Sequence, residues 1–130
     1  MKYLGIDFGS KRIGISVSDN TGKMAFPYSV ILNNEKLFGE IEKIIKAENI
    51  DEIVIGESKN FAGEPNKIMR EIEKFKEILT EKTKLKVYFE PEFMTSSQAE
   101  LIQGKNEMLD ASAATIILQS FLDKRSSVIQ

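Results

Sequence analysis

The hydrophobic positions of this chain begin with three short runs of strand periodicity. Residues 2–8 form an apolar run that ends at Gly9, and residues 12–18 alternate isoleucine and valine with smaller side chains. The short link between these two runs is typical of a hairpin. Residues 24–32 predict a third strand, in which Pro27 favours an edge position because proline cannot donate to an inner ladder.

The rest of the chain alternates helical and strand patterns. Apolar residues from Leu37 to Ile45 keep helical spacing, and Asn33 or Asn34 is the predicted cap of this helix. The remaining predicted elements are a strand at 51–56, a helix beginning at Pro65, a strand at 85–89, a helix opening at Thr95 or Ser96, and a final helix over 110–124. Hairpin-linked strands followed by βαβ alternation predict an α/β fold. Its five-stranded mixed sheet is antiparallel at one side and parallel beyond, with helices on both faces.

The length of 130 residues suits one domain, and neither a repeat nor a linker-like segment divides it. We expect residues 1–125 to form this domain and residues 126–130 to be a short C-terminal tail. The N-terminus lacks the long apolar stretch of a signal peptide, and no run approaches the length of a membrane span. The pattern therefore predicts a soluble cytoplasmic protein without a membrane partner.

Composition narrows the possible chemistry, because the chain has neither cysteine nor histidine. Thiolate nucleophiles, sulfur-ligated metals and the usual general base are excluded, which leaves carboxylates as the strongest candidates near neutral pH. Carboxylate oxygens select hard cations such as Mg²⁺ and Mn²⁺. The net charge of −2 counts mildly against nucleic acid as a partner, although a local basic rim can coexist with acidic helices.

Asp7 is the sharpest chemical feature, since it stands at the end of a strand expected to be central and directly before a tight turn. A charge there is costly unless it is paired, hydrogen-bonded or bound to a metal. The alternative role is to cap the turn through backbone amides. The motif Asp7-Phe8-Gly9-Ser10 alone is weak, because similar turns open phosphate-binding hairpins in actin-like ATPases. Strand ends near a topological switch are where the sites of α/β proteins collect, which favours a functional role.

Three further carboxylates are candidates for the same site. Asp110 precedes four small residues that let a helix lie close to the sheet, although aspartate is also a favoured N-cap. Glu57 follows the fourth predicted strand and Glu92 follows the fifth, and either one is otherwise a solvated surface glutamate. A third carboxylate is needed if two cations about 3.5–4 Å apart are to bridge a phosphate. The choice between Glu57 and Glu92 stays open at this point.

Basic and amide side chains near the same predicted edge are candidates for contacts with phosphates. They are Lys11 and Arg12 in the first hairpin, and Lys59, Asn60 and Lys67 after the fourth strand. Ordinary surface charge is the simpler explanation for each of them singly. The alternating glutamates and lysines of the two long helices are interpreted as solvated i,i+4 pairs and not as a binding stripe.

The chain resembles the YqgF/RuvX family of bacterial RNase H-like proteins over nearly its whole length. The likeness is carried by residues 4–14 with their continuation to Asp19, and by residues 110–122. Residues 54–56 and 60–63 are similar to the family's middle motif. The resemblance implies an RNase H-like fold and a divalent-metal nuclease. It also implies a role in maturing the 5′ end of the pre-16S ribosomal RNA, or in resolving Holliday junctions.

For the site, the resemblance implies that three carboxylates, Asp7, Glu92 and Asp110, hold Mg²⁺ or Mn²⁺. Glu92 keeps the family's acidic position, although the aspartate and arginine that usually flank it are replaced. Glu57 stands where the family usually has leucine. It is the alternative third carboxylate, as in the related RuvC resolvases.

These departures affect substrate binding most, because the family's basic segment before the last aspartate is shortened here to residues 104–107. The first function class is a nuclease acting on precursor rRNA or on a DNA junction. The second is a weakened module that binds nucleic acid or the pre-ribosome. The third, a phosphate-binding ATPase fragment, is disfavoured because the chain lacks room for a second actin-like lobe. A monomer and a homodimer are both compatible with the sequence, and a junction resolvase needs two sites for symmetric cuts.

Overall fold

A computed structural model of the chain describes residues 1–58, 67–92 and 107–128, with side chains at 1–57, 68–91 and 111–125. Its strands are β1 (Tyr3–Phe8), β2 (Arg12–Ser18), β3 (Ala25–Leu32), β4 (Glu52–Ser58) and β5 (Lys86–Glu92), and its helices are α1 (Leu37–Glu48), α2 (Lys67–Thr83) and α3 (Glu107–Val128). The helix predicted to open at Thr95 or Ser96 and the predicted helix start at Pro65 lie outside the described residues.

The five strands form one mixed sheet in the order β3-β2-β1-β4-β5. The first three are antiparallel neighbours, and β4 and β5 continue in parallel with β1. This is the α/β architecture predicted from the sequence, and β1 with Asp7 is its central strand. Strands β3 and β5 are the edges, which accommodates Pro27 and Pro91 because an edge strand leaves one side of its backbone unpaired.

The pleat of β1 divides its side chains between two hydrophobic cores. Leu4 and Ile6 belong to a core shared with α1 and α2. Tyr3 belongs to the core on the opposite face, together with Leu118 of α3. Successive side chains of a strand point to opposite faces, so Asp7 shares the α3 face of the sheet with Tyr3.

Helix α3 packs closely on the sheet through the small residues 111–114, all of which are buried, as the sequence predicts. A Cβ atom at Gly5 would lie 2.8 Å from Leu118 Cβ and 3.2 Å from the Ala114 carbonyl oxygen, and it would collide with Ser16 Oγ. The Ser16 hydroxyl donates to the Ala114 carbonyl at 2.8 Å. The missing side chain at Gly5 therefore sets how closely α3 approaches the central strand.

The last two strands are longer than predicted. β4 continues through Ser58 and β5 through Glu92, so Glu57 and Glu92 lie within strands and not after them. Glu57 pairs with Pro91, and Ser58 pairs with Glu92. Each extension is supported by the neighbouring strand, which supplies the partners of its ladder.

The predicted cap of α1 is wrong, because the helix begins at Leu37 and its N-cap, Lys36, makes no side-chain cap hydrogen bond. Both predicted capping residues have other partners. The Asn33 side chain donates to the Gly9 carbonyl. Asn34, two residues before the N-cap, accepts the Lys36 N–H at its Oδ1.

Helix α3 begins at Glu107, so Asp110 lies within its first turn, and the alternative role of Asp110 as the N-cap is wrong. The helix continues to Val128, into the segment that the sequence predicts as a tail. The division at residue 125 stays a prediction. In the part of the chain that the structure describes, no helix, including the 22 residues of α3, is long and apolar enough to cross a membrane.

Candidate metal and nucleic-acid site

Asp7 lies at the carboxyl end of the central strand β1, partly buried, on the sheet face that α3 covers. On β2 it pairs with Gly14. On β4 the paired positions end at Ile6–Ile55, and one step further along the same register Gly56 is opposite Asp7. Both positions directly opposite Asp7 are glycines, so these two cross-strand partners add no side chain next to this carboxylate.

Asp110 approaches the same end of the sheet through the direction of α3. The helix runs antiparallel to β1, because Phe121 packs on Tyr3 with ring centroids 5.8 Å apart while Ala114 lies against Gly5. Going from Ala114 back to position 110 covers about one helical turn, and going from Gly5 to Asp7 covers two strand residues. Both displacements measure about 5–7 Å and have the same direction. The backbone thus carries position 110 towards the candidate carboxylate of β1. The Asp110 side chain lies outside the described side chains, so their shared cleft stays a prediction.

The pleat separates the two glutamates that compete for the third position. On β4, Ile55 belongs to the core shared with α1 and α2. Glu57 comes two residues later and is therefore on the same face of the sheet as Ile55. Glu57 is therefore on the sheet face opposite to Asp7. On β5, position 92 comes two residues after Glu90, whose side chain bonds to α3, and so it belongs to the alternation that faces α3. The side chain of Glu92 itself is not described.

Glu90 is a buried acid that no sequence pattern singles out. It is 5% exposed, and its Oε2 accepts hydrogen bonds from Ser120 Oγ at 2.9 Å and Lys124 Nζ at 2.7 Å. These bonds fasten α3 to β5, the two elements that carry Asp110 and Glu92. Ser120 and Lys124 have the i,i+4 spacing of one helix face, but the sequence does not show that a strand acid lies opposite them.

The turn between β1 and β2 brings two basic residues next to the end of β1. Lys11 in the turn and Arg12 at the start of β2 are both exposed. Together with Gly9, Ser10 and Leu32 they line an open depression of about 490 Å³. A depression with two cationic side chains at its rim is suited to an anionic group.

The other predicted phosphate contacts follow β4. Lys67 is the first residue of α2, and only two residues separate the end of α2 from β5. Helix α2 therefore runs back along the sheet, and its start lies near the carboxyl ends of β4 and β5, the edge that also bears Asp7. The side chain of Lys67 is not described, and Lys59 and Asn60 lie outside the described residues.

The predicted metal ligands are carboxylates, of which Asp7 alone has a described side chain. Among the described side chains, no group of three or more histidine, cysteine, aspartate or glutamate residues is arranged to hold a metal. Because that set omits Glu92 and Asp110, it leaves the predicted triad untested. The chemistry of the donor set fits Mg²⁺ or Mn²⁺, which prefer hard oxygen ligands.

Relatives with similar sequences cover nearly the whole chain. The family model described as "RuvX: Holliday junction resolvase" matches residues 1–124. A protein of Sulfurihydrogenibium sp. (strain YO3AOP1), named "Putative pre-16S rRNA nuclease", is 40% identical over 96% of this chain and 92% of its own length. A protein of the same name from Nitratidesulfovibrio vulgaris (strain DSM 19637 / Miyazaki F) is 36% identical over 95% of this chain and 94% of its own length.

Two solved structures with similar folds are resolvases in complex with Holliday junctions. Thermus thermophilus RuvC in complex with a Holliday junction substrate has a TM-score of 0.64, covering 97% of this chain and 96% of that chain at 13% identity. The fowlpox virus resolvase in complex with Holliday junction DNA has a TM-score of 0.60, covering 96% of this chain and 99% of that chain at 10% identity. At these identities the likeness concerns the fold alone, and it confirms the predicted RNase H-like architecture.

Proposed function

Because this chain belongs to the RuvX family, which matches it over residues 1–124, we propose that it is a metal-dependent endonuclease that hydrolyses phosphodiester bonds in nucleic acid. The observation that carries the proposal is the position of Asp7 at the end of the central strand, flanked by glycines and followed at once by a basic turn. The proposed substrate is the 5′ end of the pre-16S rRNA, after the names of two relatives with similar sequences.

In the proposed site, Asp7, Glu92 and Asp110 hold one or two Mg²⁺ or Mn²⁺ ions. When bound, such an ion supplies an activated water and stabilises the charge that develops on the leaving oxygen. The chain itself contributes the hard oxygen donors, and no histidine is needed as a general base. The hydrogen bonds from α3 to the buried Glu90 hold together the strand and the helix that carry the last two donors.

We propose Glu92 and not Glu57 as the third carboxylate. The alternation of β4 directs position 57 to the face of α1 and α2, whereas Asp7 lies on the face of α3. Position 92 belongs to the alternation that faces α3. A carboxylate on the far side of a sheet is separated from Asp7 by the backbone layer, which makes Glu57 the poorer ligand.

The nucleic acid is proposed to lie along the edge formed by the β1–β2 turn and the start of α2. Lys11 and Arg12 would contact phosphates at the turn, and Lys59, Asn60 and Lys67 would contact them after β4. With 18 basic and 20 acidic residues, attraction to a polyanion depends on local patches such as this one. Binding through such contacts weakens steeply as salt rises.

The proposal is tested by a Mn²⁺-dependent cleavage assay that offers structured precursor rRNA and a four-way DNA junction side by side. We expect the wild-type chain to cut the precursor and Asp7→Asn to abolish cleavage, because the amide keeps the shape of the side chain but not its charge. Asp19→Asn, at the opposite end of β2, is the matched control and should cut like the wild type. Unchanged cleavage by a folded Asp7→Asn preparation would refute the role of Asp7.

A four-way junction is the second candidate substrate, because the matching family model is described as a Holliday junction resolvase. Preferential, paired cutting of the junction in the same assay would favour this alternative over rRNA maturation. If the chain binds either substrate but cuts neither at any metal concentration, it is a binding module, and the nuclease proposal fails.

A further inference from the structure

Asn33, the residue directly after β3, contacts both ends of the β1–β2 turn. Its side-chain Nδ2 donates to the Gly9 carbonyl at 2.9 Å. Its backbone N–H donates to the Lys11 carbonyl, also at 2.9 Å. Ser10 is the one residue between these two carbonyls, so a single asparagine fixes the turn on both sides.

The turn that Asn33 holds is tight. A Cβ atom at Gly9 would collide with the Arg12 carbonyl oxygen and lie 3.6 Å from the Arg12 carbonyl carbon. Arg12 pairs with Leu32 in the last rung between β2 and β3, and the bonds of Asn33 continue this ladder into the turn. Any residue except proline at position 33 could donate its backbone N–H to the Lys11 carbonyl. The bond to the Gly9 carbonyl, in contrast, requires a side-chain donor as long as that of asparagine.

These bonds matter for an anionic ligand because backbone carbonyl oxygens repel phosphate oxygens. The donors of Asn33 engage the carbonyls of Gly9 and Lys11 and hold them towards the end of β3. The side chains of Lys11 and Arg12 line the adjoining depression. Loss of the Nδ2 donor would leave the Gly9 carbonyl without this partner and would let the turn that carries both cations change its shape.

We propose that Asn33 is a positioning residue that holds the β1–β2 turn in the form in which Lys11 and Arg12 contact the phosphate backbone of the substrate. The inference rests on the proposed function and extends it, since Asn33 belongs to neither the carboxylate set nor the basic set. It acts through the turn and contacts no reacting atom.

The test compares Asn33→Ala with a matched control, Asn34→Ala. The first variant loses the donor to Gly9 and keeps the backbone N–H, whereas the Asn34 side chain accepts the Lys36 N–H at 2.9 Å, outside the turn. Binding of structured precursor RNA is measured over a range of salt concentrations. We expect Asn33→Ala to reduce the slope of log K against log[salt] by about 0.7–1.8, the contribution of one or two phosphate contacts. Asn34→Ala should keep the wild-type slope.

A double-variant comparison adds a second readout. In a chain already carrying Lys11→Ala and Arg12→Ala, adding Asn33→Ala should weaken RNA binding no further, because the contacts that it positions are gone. An additional loss equal to that in the wild-type background would contradict the positioning role. A general loss of folded protein would lower the active fraction without changing the salt slope.

Hydrogen exchange of the amides in residues 9–12, measured on the protein alone, separates this inference from the proposed function. We expect faster exchange there in Asn33→Ala than in the wild type or in Asn34→Ala, with β4 unchanged. If exchange or the salt slope of Asn33→Ala equals that of the wild type while the wild type still binds RNA, the inference fails and the proposed function stands. If the wild type neither binds nor cuts nucleic acid, the proposed function fails, and the positioning role fails with it.

Discussion

At the scale of single residues, the two positions opposite Asp7 are glycines, which have no side chain. Gly14 and Gly56 flank it on the two adjacent strands, and glycine within a strand weakens the strand while allowing a ligand to approach closely. Asp7 lies on the α3 face of the sheet, whereas the pleat places Glu57 on the opposite face. The residue scale therefore favours Asp7 and Glu92 over Asp7 and Glu57.

Separate glutamine substitutions test this preference. We expect Glu92→Gln to weaken Mn²⁺ binding by about tenfold or more. Even the loss of a residue that contacts a metal ligand, and not the metal itself, reduces affinity by that factor. Glu57→Gln should leave the affinity unchanged, because position 57 lies on the other face of the sheet. Titration calorimetry measures both variants. A strong loss for Glu57→Gln with none for Glu92→Gln would instead favour the RuvC arrangement.

At the scale of elements, α3 connects three strands that lie at different positions in the sheet. The helix reaches β1 over Gly5, bonds to β2 through Ser16, and is fastened to β5 by Glu90. Three strands are thus tied to the helix that carries Asp110. Because these contacts come from distant parts of the chain, a change at any one of them is expected to affect the site.

Gly5→Ala tests the close approach of α3. The added Cβ would lie 2.8 Å from Leu118 Cβ, so we expect the free energy of unfolding to fall by about 1–3 kcal/mol, as for other overpacked cores. Gly39→Ala is the control, because Gly39 lies in α1 with no atom within 4 Å of its would-be Cβ. That variant should gain about 0.5–1 kcal/mol from helix propensity. Urea unfolding measures both, and equal effects in the two variants would contradict the packing argument.

The turn between β2 and β3 predicts a pH dependence. Asp19 accepts the Lys23 N–H at 2.9 Å and the Thr21 hydroxyl at 2.8 Å, and these bonds, with the Lys23 amide first, lower the pKa of Asp19 below 3.8. A depressed pKa contributes stability above the unfolded value, and this stability is lost as pH falls through the folded value.

We therefore expect Asp19→Asn to flatten the loss of thermal stability below about pH 4, because the asparagine cannot titrate. Thermal unfolding between about pH 2 and 5 measures the effect. Glu35→Gln, at an exposed position before α1, is the control and should keep the wild-type acid limb. An acid limb in Asp19→Asn as steep as that of the wild type would show that the turn does not contribute to it.

At the scale of the whole molecule, the candidate carboxylates and basic residues lie at one edge of the sheet, formed by the carboxyl ends of its parallel strands. The ends of β1, β4 and β5, the start of α2 and the start of α3 all lie there, because both helices run antiparallel to the central strands. The two hydrophobic cores lie behind this edge, one on each face of the sheet. Within residues 1–58, 67–92 and 107–128, the candidate groups thus belong to a single site.

One site is sufficient for a single cut in precursor RNA, whereas paired cuts in a junction need two. When wild-type chain is mixed with Asp7→Asn at constant total concentration, we expect RNA cleavage to fall in proportion to the inactive fraction. Initial rates across the mixing series measure this. A fall with the square of the active fraction, after the copies have had time to exchange, would show that two copies act together, as a junction resolvase requires.

Most of the fold could be predicted because periodicity is local. β2 matches its prediction residue for residue, and the edge position of β3 follows from Pro27. The lengths of β4 and β5 could not be predicted, because each extension depends on ladder partners in the other strand. The capping prediction failed at Asn33 for the same reason, since its partner lies 24 residues away in the first turn.

The sequence by itself determined the class of fold, the central position of Asp7 and the carboxylate character of the candidate site, because strand periodicity and the absence of histidine and cysteine are properties of the chain alone. The tertiary structure decided which faces of the sheet Asp7 and Glu57 occupy, how closely α3 approaches Gly5, and that Asn33 contacts the turn instead of capping a helix. These features depend on contacts between residues far apart in the chain, and such contacts exist only once strands and helices have packed together.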